Sequence, residues 1–79
     1  MANRAKVDLI PYEKLNLVKK CLKLNANISI LLNSLYLIEK GFIKTDEQLS
    51  AYLSNRTKSM PKYSKDVELI GSILKNTLF

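Results

Sequence analysis

Apolar residues recur at helical spacing along most of this chain, and few residues that favour turns interrupt them. The 79 residues include two glycines and two prolines, which leaves little room for the many tight turns of an all-β fold. The pattern therefore predicts an all-α fold: a single domain over residues 1–79, built as a small bundle of about four helices. Because a core of this size is small, dimerisation is a natural way to complete it.

The first predicted helix covers about residues 11 to 24 and follows a short extended segment, VDLIP (7–11). Pro11 suits the first helical position, because its missing N–H would have no partner there. The apolar residues at helical spacing, which we expect to face the core, are Leu15, Val18 and Leu22, with Leu17, Cys21 and Leu24 beside them. The lysines of the outer face are Lys14, Lys19, Lys20 and Lys23.

The second predicted helix, about residues 26 to 40, is apolar on nearly every side. Asn25 or Asn27 is expected to cap its start, and Gly41 to end it. A helix of this composition belongs in the centre of a bundle or at a contact between subunits. Tyr36 is expected at the edge of its apolar surface, with the hydroxyl toward water.

TDEQ (45–48) has the capping-box pattern and predicts a third helix over about residues 45 to 54. Phe42 and Ile43, just before this helix, are expected to pack into the core. The fourth predicted helix begins near Ser64 and has a strong apolar face.

Two features of the fourth helix predict close packing. Gly71 costs about 1 kcal/mol relative to alanine in a helix interior, and the close approach of another backbone, within the bundle or across a dimer, is expected to offset this. Leu78 and Phe79 would be exposed by fraying unless they dock on another surface. Together with the apolar second helix, they predict a homodimer with helix 26–40 or helix 64–79 at the contact.

The residues that most enzymes and metal sites require are scarce. The chain has no histidine and a single cysteine, Cys21, which is expected to be a buried apolar side chain. Gly41 and Gly71 stand alone, so no glycine-rich phosphate loop is present. The carboxylates fall mostly in predicted first turns, where helix dipoles account for them. The sequence therefore predicts a non-enzymatic protein without a metal or cofactor.

Neither membrane insertion nor secretion is expected. The start, MANRAKVDL, lacks the apolar run of a signal peptide. The longest apolar stretch, residues 28–38, is interrupted by Asn33 and Ser34 and is well short of the roughly 20 residues that span a bilayer. We therefore expect a cytoplasmic protein.

The net charge of +6 is concentrated in two segments. Residues 1–25 carry six basic and two acidic side chains, and residues 56–65 carry four basic and no acidic side chain. The remaining segments, 26–55 and 66–79, each come to −1. Two basic poles suggest attraction to an acidic protein surface or to a nucleic acid, although solubility alone also accounts for such charge.

Residues 49–65, which include the stretch LSNRTKSMPKYSK (53–65), resemble the helix-turn-helix layout of DNA-binding domains. Leu49 and Leu53 stand at first-helix positions, SNR (54–56) at the turn, and Met60 where a recognition helix anchors to the core. However, the turn lacks a glycine, and Pro61 inside a recognition helix would cost about 3 kcal/mol. Ser59 and Pro61 fit better as the end of a loop, or as the cap and first turn leading into the fourth helix.

Two functional hypotheses follow from these observations. The favoured one is a small interaction protein that binds an acidic protein surface and modulates its partner, as inhibitors, antirepressors and anti-defence proteins of phages and mobile elements do. The alternative is a transcriptional regulator that binds duplex DNA through residues 49–65. The predicted binding residues are Arg56, Lys58, Lys62, Tyr63 and Lys65 near one basic pole, and Lys19, Lys20 and Lys23 near the other.

Overall fold

The computed structural model describes residues 10–79 and confirms an all-α bundle. Its elements are α1 (Pro11–Lys23), α2 (Ile28–Glu39), α3 (Asp46–Ser59), a short 3-10 helix (Pro61–Tyr63) and α4 (Ser64–Leu78). Ile10 has an extended backbone and Pro11 begins α1, as predicted. The rest of the extended segment expected before Pro11 lies outside the described residues. No helix within residues 10–79 is both long enough and apolar enough to cross a bilayer.

The connection between α1 and α2 is made by two asparagines with different tasks. Asn25 has a φ of 56° and ends α1, where the Ala26 N–H donates to the Cys21 carbonyl at 2.9 Å and the Asn25 N–H to the Leu22 carbonyl at 3.1 Å. These two bonds form a Schellman motif. Asn27 caps α2 by accepting from the Ser29 N–H at 2.9 Å. Of the two predicted caps, Asn27 is therefore the one that starts α2.

The end of α2 and the start of α3 follow local rules. Gly41, with a φ of 83°, ends α2, and the Phe42 N–H donates to the Leu37 carbonyl at 2.9 Å. The predicted capping box is present at α3: Thr45 Oγ1 accepts from the Gln48 N–H at 3.2 Å, and Gln48 Oε1 accepts from the Thr45 N–H at 3.3 Å. Both boundaries match the prediction.

The third helix is longer than predicted, and its end corrects the interpretation of residues 53–65. Residues 54–56, which would form the turn in the helix-turn-helix alternative, lie inside α3, which continues to Ser59. The polar residues there lack an apolar stripe but remain helical. Met60 leaves the helical region because the residue before a proline disfavours it. Pro61 then occupies the first turn leading into α4, so the expected basic loop is largely helical.

The core lies between all four helices, and it corrects the predicted inner face of α1. Leu17 and Cys21 are fully buried, whereas Leu15 and Leu22 are about half exposed. α1 therefore presents the 17–21 side to the core, and the stripe that was expected to be buried lies toward its outer side. Ser34, also buried, is satisfied because its hydroxyl donates to the Ile30 carbonyl at 2.8 Å.

Three further expectations about packing have mixed outcomes. Ile43 is buried, but Phe42 is 70% exposed, so the prediction that both pack into the core is wrong for Phe42. Tyr36 is exposed, as predicted. Leu78 is buried and Phe79 packs against the core of the same chain. The last turn of α4 thus docks within the bundle, which removes one of the two reasons for expecting a homodimer.

α3 packs most extensively on α4, and Gly71 lies at their contact. A Cβ built on Gly71 would come within 3.0 Å of Leu53 Cδ1. The absence of a side chain at Gly71 therefore leaves room for a buried leucine from the neighbouring helix. The sequence predicted the close approach of another backbone at this glycine, and the neighbour is instead the side chain of Leu53.

Candidate functional site

The lysines of α1 form one continuous surface, which we call the lysine face: Lys19, Lys20 and Lys23. Lys23 is three positions from Lys20 and four from Lys19, and these spacings place side chains next to each other on a helix. All three side chains are exposed. Lys14, predicted to belong to this group, instead turns toward α2, where its Nζ lies 2.8 Å from Glu39 Oε1.

The lysine face borders a shallow groove between α1 and the end of α4. The groove has a volume of about 370 Å³ and is lined by Glu13, Asn16, Leu17, the three lysines and Thr77. The docked last turn of α4 forms its far wall. The lysines are therefore held beside a concave surface, although each side chain itself remains free to move in solvent.

Two exposed leucines of α1 border the lysine face on the side away from the groove. Leu15 and Leu22 are seven residues apart, close to two helical turns, and are 49% and 56% exposed. Lys19 stands one turn from Leu15, and Lys23 follows Leu22 in the chain. Apolar side chains flanked by charged ones are typical of the centre and rim of a protein–protein contact.

Sequence reasoning missed the exposed leucines as binding residues because it assigned them to the core. A signal was present, however. α1 carries two apolar stripes, one through Leu15 and Leu22 and one through Leu17 and Cys21, and a helix at the edge of a small bundle buries only one such face.

The second predicted site, residues 56–65, is divided among α3, the 3-10 helix and α4; we call this segment the α3–α4 corner. Arg56 and Lys58 both lie in the last turns of α3, but residues two positions apart point to opposite sides of a helix. Lys62 belongs to the 3-10 helix and Lys65 to the first turn of α4. The helical structure of α3 thus separates Arg56 from Lys58, although they are close in sequence.

Two cations of the α3–α4 corner lie over aromatic rings of the same chain. The Arg56 guanidinium is 6.0 Å from the centroid of Tyr52, and the Lys62 ammonium is 5.9 Å from that of Tyr63. Arg56 Nε is buried and has no acceptor among the described residues. Tyr63, predicted to be a binding residue, is partly buried and packs against the core. It is therefore not a free platform for stacking on bases.

α4, the helix that follows the α3–α4 corner, is poorly suited to contact with phosphates. The first turns of α4 carry one lysine, Lys65, and two carboxylates, Asp66 and Glu68. Asp66 Oδ2 accepts from the Asn27 N–H at 3.1 Å, which ties the start of α4 to the start of α2. A recognition helix places its first residues against bases and backbone, where two carboxylates would be repelled.

Cys21 lies on the side of α1 that faces the core, and it is fully buried. Burial raises the pKa of its thiol above the ordinary value, and the charge of Asp66 raises it further. A thiol that is fully buried and kept protonated is a poor nucleophile. Within residues 10–79, no three histidine, cysteine or acidic side chains are grouped as they would be around a metal ion.

These features define a small four-helix protein with a lysine face beside exposed leucines on α1. Comparison with known proteins found no matching family model, no matching curated protein and no matching solved structure.

Proposed function

We propose that this chain is a non-enzymatic binding protein that attaches to an acidic surface of another protein and modulates its activity. The observation that carries the proposal is the lysine face of α1 lying next to exposed Leu15 and Leu22. Lysines attract an acidic partner and speed its association, while leucines supply the apolar area that holds it. Within this class, an inhibitor, antirepressor or anti-defence protein of a phage or mobile element is the kind of modulator that we propose.

Duplex DNA is the competing partner. Its contacts are mainly with phosphates, and a binding surface for DNA gains from clustered cations rather than from exposed leucines. Arg56 and Lys58 point to opposite sides of α3, and two acidic residues, Asp66 and Glu68, follow the α3–α4 corner at the start of α4. These features favour a protein partner over DNA.

Capture of partners from a lysate of the source cell, with and without nuclease, tests the proposal. We expect a protein partner that survives nuclease and is lost with the Lys19→Glu/Lys23→Glu variant. The matched control, Lys58→Glu/Lys62→Glu, changes the same charge at the α3–α4 corner and is expected to retain the partner. Loss of every partner after nuclease treatment contradicts the proposal and supports DNA binding.

A further inference from the structure

The exposed apolar side chains of α1 have counterparts on α2. Leu32 and Tyr36, one helical turn apart, are 49% and 57% exposed. On α1, Leu15 and Leu22 are exposed to a similar degree, and Val18 between them is partly buried. Half of each side chain is therefore already packed on the bundle, and the other half contacts solvent.

The ion pair between Lys14 and Glu39 shows how the two exposed stripes are placed. It joins the first turns of α1 to the last turn of α2, so these helices run side by side in opposite directions. On α2, Glu39, Tyr36 and Leu32 follow one flank at helical spacing. On α1, Lys14, Val18 and Leu22 likewise follow one flank at helical spacing.

Because the ion pair joins one residue of each flank, the two flanks lie next to each other on the α1–α2 pair. The opposite flanks carry the buried residues, Leu17 and Cys21 on α1 and Leu31 and Leu35 on α2. We call the exposed apolar surface the seam face; its residues are Leu15, Val18, Leu22, Leu32 and Tyr36.

Cations surround the seam face. Lys19 and Lys23 border it on α1, and the Lys40 ammonium lies 5.8 Å from the ring centroid of Tyr36 at the end of α2. α1 and α2 contain two carboxylates. Glu39 is paired with Lys14, and Glu13 lines the groove on the far side of α1. The rim of the seam face is therefore positive and is complementary to an acidic partner.

We infer that the seam face binds an acidic amphipathic helix of the partner protein, which lies along the junction of α1 and α2; this inference rests on the function proposed above. Leu15 and Leu22 are about 10 Å apart along α1, which matches two turns of a docked helix. Such a helix presents apolar anchors at positions i, i+3 or i+4, and i+7.

The same charges disfavour a second copy of this chain, which is the competing occupant. A two-fold contact uses the same patch on both copies. It would bring Lys19, Lys23 and Lys40 of each copy to one rim without free carboxylates from α1 or α2 to pair them. An acidic helix satisfies these cations, and a second seam face does not.

A synthetic helix of about four turns is a suitable probe, with leucines at the anchor spacing and glutamates elsewhere. One control peptide has the same residues in an order that destroys the apolar side, and another replaces each glutamate with lysine. Fluorescence anisotropy at low salt is expected to detect binding of the acidic amphipathic peptide. We expect binding at least ~10-fold weaker for the scrambled peptide, and none for the lysine peptide.

Variants of the protein locate the binding surface. Leu22→Ser and Leu32→Ser change exposed side chains and are each expected to weaken peptide binding by ~10-fold or more. Leu69→Ser, which changes a 37% exposed leucine on α4, is the matched control and is expected to bind like the parent. Circular dichroism confirms that each variant is folded before it is compared.

Several results would overturn the inference. They are equal binding of the ordered and scrambled acidic peptides, an equal loss in Leu69→Ser, or a dimer in sedimentation that Leu22→Ser dissociates. The last result would assign the seam face to a second copy. A captured protein partner whose binding is unaffected by Leu22→Ser and Leu32→Ser would refute the seam face but leave the proposed function standing. Loss of every partner after nuclease would refute the proposed function itself.

Discussion

Replacing Leu17 or Leu15 with alanine tests which side of α1 supports the core. The two leucines are two positions apart on the same helix and differ mainly in environment. Leu17 is 1% exposed and Leu15 is 49% exposed. The same change in chemistry is therefore made once inside the bundle and once on its surface.

The expected costs differ severalfold. Leu17→Ala leaves a cavity in the core and should lower the free energy of unfolding by about 2–5 kcal/mol. A chain of this length has only about 4–12 kcal/mol of stability, so the loss is a large fraction of the total. Leu15→Ala removes a side chain that is already half in water, and the better helix propensity of alanine offsets part of that loss. Its cost should stay below about 1 kcal/mol.

Urea denaturation followed by circular dichroism measures both variants. Equal slopes of free energy against urea would show that the unfolded states are comparable. In thermal melts, the melting temperature of Leu17→Ala should be lower than that of the parent by at least about 8 °C, since each kcal/mol of lost stability lowers the Tm of a small domain by about 4–8 °C. If Leu15→Ala costs as much as Leu17→Ala, Leu15 is buried and the assigned orientation of α1 is wrong. The seam face would then not be an exposed apolar surface.

Three other sets of substitutions test the position of Pro61, the burial of Cys21 and the expected lack of sequence-specific DNA binding. Pro61→Ala should lose about 0.4–1 kcal/mol of stability through a more flexible unfolded chain, whereas a gain in a urea titration would indicate a strained helix interior. Because the pKa of Cys21 is raised, the unfolded chain loses that proton first, and stability should fall as pH rises above about 8.5. Cys21→Ala should show a smaller decrease over the same range, and identical pH profiles would refute the assignment. For duplex DNA, the parent should not prefer any site over random sequence by ~10³, as a binding-site selection experiment can establish. Replacing Arg56, Lys58, Lys62 and Lys65 with neutral glutamine should leave the binding of duplex DNA weak and without preference for any sequence.

Most helix boundaries were predictable because neighbouring residues determine them. The bonds between Thr45 and Gln48, the side-chain cap of Asn27 and the positive φ of Gly41 each involve residues within a few positions. The end of α3 was harder to predict, because its last residues are polar and carry no apolar period. The position of Pro61 was the better signal, since a helix usually ends before the residue preceding a proline.

The orientation of α1 depends on contacts that are distant in sequence. Both of its apolar stripes have helical spacing, and the choice between them is made by packing against the other helices. Phe42 likewise follows a turn whose direction leaves its ring exposed. The lysine face was predictable because spacings of three and four residues, from Lys20 and Lys19 to Lys23, place charges together on a helix. The α3–α4 corner was not, because Arg56 and Lys58 are close in sequence but point apart once α3 extends through them.

Backbone amide chemical shifts of the isotope-labelled protein, measured on addition of the partner captured after nuclease treatment, show where that partner binds. We expect the largest changes on α1 and α2, around Leu15, Leu22 and Leu32, with little change over residues 56–65. Changes confined to residues 56–65, or produced equally well by duplex DNA alone, would contradict this expectation.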